Sequence, residues 1–374
     1  MATIVYVDAA LQTGLNNGTS WENAYRGCAG LQTALDNVVN GSDTIIYIRN
    51  TFSVGTYGST IDIDTAGGDY TNNHWLKIIG CDSITGNSLP QGQHVILDGE
   101  NLLANHIVNI SNVSMVHIEN VHFTRVSTSE KAGCYTTASS AKFGFNFVNC
   151  KFSSCDYGLK VSTLSGYIRN LFINKCVFFS NTTYDLDSAG SASIIIGSRF
   201  ESACPALLVR CGGIIQECVF KYTQNNGVAV TVNGNAVARG EAIITNCTFY
   251  CTGIGGVTAI SCNNLVGPVI TNNIIHLAQP ASDIPVSAAR ASYEDYNCTN
   301  VTVNLLTGPH SLNATDPQFA DAANCNFRPR NPLVLRGGMP DFSGNPTQIG
   351  AIQSKYQFVS KARAANLGRF SIFR

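Results

Sequence analysis

A chain of 374 residues could hold two or three ordinary domains or one elongated repeat structure. Only 13% of its residues are charged and the net charge is −1, so no basic field draws it to nucleic acid. No apolar run approaches the roughly 18 residues that a membrane span needs, while 34 glycines and turns rich in Asn, Ser and Thr suit many short strands.

The opening, MATIVYVDAA, lacks the basic segment and long apolar stretch of a secretory leader, so the expectation is synthesis in a cytosol and release, if any, by another route. Residues 1–43 read as an N-terminal strand followed by a short capping helix. Leu31, Ala34, Leu35 and Val38 fall at i, i+3, i+4 and i+7, and Gly41 supplies a stop, which predicts a helix over 29–40. Such a helix would cover the apolar cross-section that a solenoid leaves at its end.

Residues 44–353 carry a repeat. Asn120-Val121-His122-Phe123, Asn149-Cys150-Lys151-Phe152, Lys175-Cys176-Val177-Phe178, Gly197-Ser198-Arg199-Phe200, Glu217-Cys218-Val219-Phe220, Asn246-Cys247-Thr248-Phe249 and Asn272-Asn273-Ile274-Ile275 share one pattern. Successive copies lie 29, 26, 22, 20, 29 and 26 residues apart, a solenoid spacing too short for a propeller blade. The small residue and the aromatic sit two apart, hence on one face of a strand, and the residue between them is often polar. The leading Asn tolerates the left-handed backbone of a sharp bend. Further strands are expected at Thr44–Ile48, Trp75–Ile79, His94–Leu97, Pro268–Ile275 and Val301–Leu305. The pattern predicts an all-β, single-stranded right-handed parallel β-helix solenoid with a short N-terminal capping helix.

Fourteen cysteines look like a disulfide count, but four of them, Cys150, Cys176, Cys218 and Cys247, take one position in the repeat, and no C-x-x-C pair is present. They are expected to be small buried apolar residues, mostly reduced.

The opening Tyr6-Val7-Asp8, then Asn17-Gly18-Thr19-Ser20-Trp21-Glu22-Asn23-Ala24 and Leu31-Gln32-Thr33-Ala34-Leu35, resembles the start of pectin-lyase-like right-handed β-helix proteins. Asp316-Pro317-Gln318-Phe319, Asn326-Phe327-Arg328 and Ile349-Gly350-Ala351-Ile352-Gln353 resemble their close. The resemblance spans roughly residues 4–353 and implies the fold. It does not choose among that family's polysaccharide lyases and hydrolases, surface proteins and phage virion parts.

Enzymes of that family resemble one another in placing carboxylates on adjacent coils of one face. Between residues 189 and 290 the acids are Glu201, Glu217, Glu241 and Asp283, in no common register, so no catalytic residue is assigned there. Asp62 and Asp64 alternate with isoleucines and would point one way from one strand, as a calcium or sugar site or as a solvated face. Asp98 and Glu100 would sit in a turn with Glu119 one coil later. Asp185 and Asp187 lie in an expected loop, and His117 and His122 bracket Glu119. No metal site and no cofactor is assigned.

Residues 354–374 differ in texture, with five basic residues, no acid and the apolar side chains of Tyr356, Phe358, Phe370, Ile372 and Phe373 among others, which leaves residues 1–353 at −6. Basic residues interleaved with aromatics suit docking. The candidate partner-docking residues are Lys355, Tyr356, Phe358, Lys361, Arg363, Arg369, Phe370, Phe373 and Arg374, either capping their own solenoid or reaching a neighbour. The main expectation is a non-catalytic virion subunit, such as a phage capsid decoration or tail-associated protein, bound to other virion or capsid subunits and homo-oligomeric, with trimers implied by the resemblance. The alternatives are a polysaccharide lyase or hydrolase, such as a tailspike-like depolymerase, and a glycan-binding surface module using Trp75, Tyr222 and Tyr250.

Overall fold

In the computed structural model the described residues are 2–39, 42–64, 73–82, 87, 89, 92–102, 105–126, 128–138, 142–163, 168–189, 193–210, 213–233, 242–263, 268–288, 293–341, 345 and 347–351. Among them the chain winds as a parallel β-helix of three long sheets. The first holds 12 strands, the second 10 and the third 9, and beyond the first three strands sheet neighbours are every third strand of the chain. Every pairing between successive coils is parallel, from Thr3–Asp8 on Thr44–Arg49 at one end to Ile274–Leu277 on Cys298–Thr299 at the other.

Each copy of the repeat makes one corner, where the chain turns from the first sheet into the second. The bend residues Asn120, Asn149, Asn246 and Asn272 hold φ between 47° and 59°, the left-handed region that Asn enters at least cost among non-glycine residues. Asn149 Nδ2 donates to Asn120 Oδ1 at 2.6 Å, and Asn272 Nδ2 donates to Asn246 Oδ1, so the bends are laddered. Gly197 takes the same conformation freely, whereas Lys175 and Glu217 hold it against the clash of their Cβ atoms.

Inside the corner the small residue and the aromatic point inward. Cys150, Cys176, Cys218 and Cys247 are fully buried, and their thiols reach carbonyls of the preceding coils at 3.4–3.6 Å. Beside them Phe123, Phe152, Phe178, Phe200, Phe220 and Phe249 form one column with ring centroids 4.7–5.0 Å apart. That spacing is the distance between paired strands, so the rings stack because the backbone does. Thirteen cysteines are free thiols and no disulfide occurs among the described residues.

The capping helix runs Gly27–Asp36, two residues ahead of the expected start and ending sooner, because Asn37 leaves helical geometry at φ −88°, ψ 0°. Leu31, Ala34 and Leu35 are buried against the first coil as the periodicity requires. Val301–Leu305 is not a strand. Val301 is buried, but the stack ends at Cys298–Thr299, and Thr299 N bonds Leu312 O instead of another coil. Beyond it a hairpin of Phe319–Asp321 and Asn326–Pro329 lies over the second sheet, with Phe319 and Phe327 against Tyr250. The helix Pro332–Arg336, capped by Asn331, buries Val334 against Ile274 and Cys298 at the end of the stack.

Replacing Phe200, which is fully buried between Phe178 and Phe220, removes two ring contacts at once. Phe200→Ala is expected to lower stability by about 3–5 kcal/mol, and the outward Arg199→Ala by under about 1 kcal/mol. Urea midpoints of the two variants check this.

Candidate carbohydrate site on the third sheet

The strand Ile61–Ile63 is the N-terminal edge of the third sheet. An edge strand has unmet backbone groups, and here the capping helix meets them through one side chain. Gln32 Oε1 accepts from Asp62 N at 2.8 Å and Gln32 Nε2 donates to Asp62 O at 3.0 Å. The amide mimics a further rung of the ladder. With Ile61 and Ile63 buried, the Asp62 carboxylate faces outward, as the alternation predicts.

Parallel register then lines up one outward column: Asp62, Asn109, Tyr135, Lys160 and Asp187. Asn109 Nδ2 donates to Asp62 Oδ1 at 2.9 Å. His106, just ahead of the strand Val108–Ser111, stacks on Tyr135 with centroids 4.3 Å apart and 13° between planes. Its Nδ1 accepts from Ala132 N at 2.9 Å, so the ring proton sits on Nε2. Burial, and then the nearby Lys131 and Lys160, push the His106 pKa down to about 4, which keeps the ring neutral and a hydrogen-bond donor at physiological pH.

Together Thr60, Asp62, Asn105, His106, Asn109, Tyr135 and Thr137 line a pocket of about 260 Å³. Thr60 Oγ1 and Asn109 Oδ1 are buried there with no hydrogen-bond partner among the described residues. Buried polar atoms are almost always paired, so two orphans in one pocket mark a place where a polar ligand or water completes the set. Further along the sheet the Lys160 ammonium lies 4.0 Å from the Tyr157 ring centre, and Tyr157 stacks on Tyr184.

The other expected clusters do not assemble. Asp98 lies on the second sheet and is held by Arg125 Nε at 2.7 Å, whereas Glu119 lies on the first sheet and meets His117 Nε2 at 3.2 Å. Glu100 accepts from Thr56. His122 is turned away from Glu119, toward Ser153 Oγ at 2.7 Å, and burial pushes its pKa down to about 3. Ser153 is itself buried, so this Ser–His pair is closed to substrate. Among the described residues no three His, Cys, Asp or Glu side chains gather as a metal site. Tyr222 is fully buried and Tyr250 is roofed by the hairpin, so neither offers a ring to a sugar. Lys355, Tyr356, Phe358, Lys361, Arg363, Arg369, Phe370, Phe373 and Arg374 lie outside the described residues.

Asp185 and Asp187 belong to a strand, Tyr184–Ala189, not to a loop. Asp187 stands in the outward register but is itself buried, at 8% exposure, and Asp185 points into the core, fully buried. Asn181 Nδ2 donates to Asp185 Oδ1 at 2.7 Å and Ser202 Oγ donates to the same oxygen, but burial outweighs both and raises the pKa to about 7. Since the folded value lies above the ordinary 3.8, folding holds a proton that the unfolded chain releases. That contribution is complete below about pH 4 and is lost as pH rises toward 7, at up to about 1.4 kcal/mol per pH unit. Asp185→Asn, which places an N–H where the acid holds its proton, is expected to remove this dependence. The difference in urea midpoint between wild type and variant at acid and neutral pH measures it.

No protein-family model matches the chain, and no curated protein does. Among solved structures the chain is similar to the GH136 lacto-N-biosidase from Eubacterium ramulus, a selenomethionine derivative, at 8% identity and a TM-score of 0.48. The similarity covers 83% of this chain and 67% of that one. The likeness is too distant to carry an activity or a substrate to this chain.

Proposed function

We propose that this chain is a glycan-recognising β-helix that seats one sugar unit in the Asp62–Tyr135 pocket and runs the rest of an oligosaccharide along the third sheet. The observation that carries the reading is the pocket's set of unmet and available polar atoms. Asn109 Oδ1 and Thr60 Oγ1 lack partners among the described residues, Asp62 presents a carboxylate, His106 presents an Nε2–H, and Tyr135 adds a flat ring. A sugar hydroxyl donates one hydrogen bond and accepts others, so a ring bearing several of them needs this mixture of donors and acceptors. A pocket of about 260 Å³ is also small beside the roughly 300–1,000 Å³ of sites for larger ligands, as one ring requires. Lys160 and the stacked Tyr157 and Tyr184 extend polar and aromatic surface from it along the coils.

Hydrolysis is a second reading, motivated by one observation. Asp62 stands outward on its strand, and Asp64, just past the strand's end, is exposed. Two neighbouring carboxylates are the equipment that a glycoside hydrolase uses. The virion expectation has no comparable feature of the described surface behind it.

A glycan-array screen followed by titration calorimetry tests the binding reading. Asp62→Asn and Tyr135→Ala are each expected to weaken the best ligand about tenfold or more, the loss of one charged hydrogen bond or one stacking face. Absence of any glycan ligand, or affinity unchanged in both variants, would overturn it. Reducing-end release from the bound glycan, lost in Asp64→Asn while binding persists, would establish hydrolysis. Binding without release would discard it.

A further inference from the structure

The outward face of the first sheet differs from the third. One column of outward positions reads Phe172, Ile194, Ile214, Ile243, Val269 and Tyr293, each in direct register with the next. The second outward column beside it, Asn174, Ile196, Gln216, Thr245 and Thr271, is uncharged up to its last row, where Asp295 stands beside Tyr293 and is tied to His310 Nδ1 at 2.8 Å. Phe172, the three isoleucines and Val269 are half-buried by their neighbours along the stack, and Tyr293 is 56% exposed. The C-terminal hairpin and helix cover the second sheet and the end of the stack, and the core clusters they build contain none of these six residues.

From this we infer that the first sheet is a self-association face, and that its occupant is a second copy of this chain packed antiparallel across a two-fold axis. Three properties of the column select a copy of itself. A two-fold contact requires a surface complementary to itself, and an uncharged column meets its own copy without repulsion, the one nearby acid, Asp295, being held by His310. The apolar run, which begins where Asn146 gives way to Phe172, is symmetric about its middle, since Phe172 and Tyr293 stand equally far from the midpoint between Ile214 and Ile243. Antiparallel packing therefore sets Phe172 of each copy over Tyr293 of the other and Ile214 over Ile243, placing aromatic on aromatic and isoleucine on isoleucine. Flat sheets also pack face to face at about 10 Å with side chains interdigitated, which β-branched columns suit.

The face measures about 30 Å by 13 Å, or on the order of 400 Å² in plan for each copy. Two such faces together fall below the roughly 1,000 Å² of a stable specific interface, which corresponds to a weak, reversible dimer. This dimer leaves the third sheet and its pocket open, so it stands or falls apart from the glycan reading.

Sedimentation velocity of the full chain from about 1 to 200 µM reads the association directly. The expected result is a shift from monomer to dimer across that range. Ile214→Lys and Ile243→Glu should each keep far-UV circular dichroism and cooperative melting while weakening dimerisation at least tenfold. Mixing the two variants should restore a dimer, because the introduced ammonium of one copy faces the introduced carboxylate of the other only in the antiparallel register. A full chain that stays monomeric up to the highest concentration, or association that survives both substitutions, would overturn the proposal.

Discussion

The contact on which the rest of this protein depends is the parallel backbone ladder between one coil and the next, and the ladder is indexed at a single corner. There the left-handed residues from Asn120 to Asn272 turn the chain from the first sheet into the second, each directly above the last. Once that corner is in register, everything two residues along is in register too. The cysteines stack, the phenylalanines stack, and each outward column becomes a continuous stripe. Insertions of differing length between copies are absorbed at the other corners, so coils of 20 and 29 residues coexist without breaking the aromatic column.

A stack of coils has two raw ends and three faces, and the chain treats each differently. The N-terminal end is closed by the helix Gly27–Asp36, whose Gln32 also completes the edge of the third sheet beside Asp62. The other end is closed by Val334 and Ile349 against Ile274 and Cys298. Of the faces, the second sheet lies under the C-terminal hairpin, the third carries the polar and aromatic pocket, and the first carries an uncharged stripe. In a fold whose faces are interchangeable by geometry, the outward residues alone give each its role.

The low charge content bears on how the remaining charges are used. Arg49 with Asp8 and Arg125 with Asp98 are ion pairs at the margins of the sheets, and His310 Nδ1 meets Asp295 Oδ2 at 2.8 Å. Asp185, like the wholly buried Asp283, is a carboxyl taken into the core with neutral partners, and unlike Asp283 it leaves one oxygen unmet among the described residues. Its remedy is to keep its proton, which makes the solenoid sensitive to pH at a point remote from the pocket. The histidines run the other way, with His94, His106 and His122 pressed toward neutrality by burial.

Much of this was legible from residues alone. A strand of period two shows its inward face in any sequence. The spacing of Cys and Phe within each copy, the Asn before it, and the Leu31–Leu35 periodicity therefore determined the solenoid, its corner and its cap. The outward orientation of Asp62 was legible for the same reason. What surrounds Asp62 was not, since Asn109 lies 47 residues further on and Tyr135 another 26, and only the register of separate coils makes them neighbours. Asp185 and Asp187 show the limit within one strand, because a polar stretch reads as a loop until burial shows that one carboxyl faces the core. Separating Asp98 from Glu119 needed the corner between them, which puts residues 21 apart in sequence on different faces. Local alternation is a property of the chain, whereas adjacency between coils is a property of the stack, and a binding pocket is made of the second.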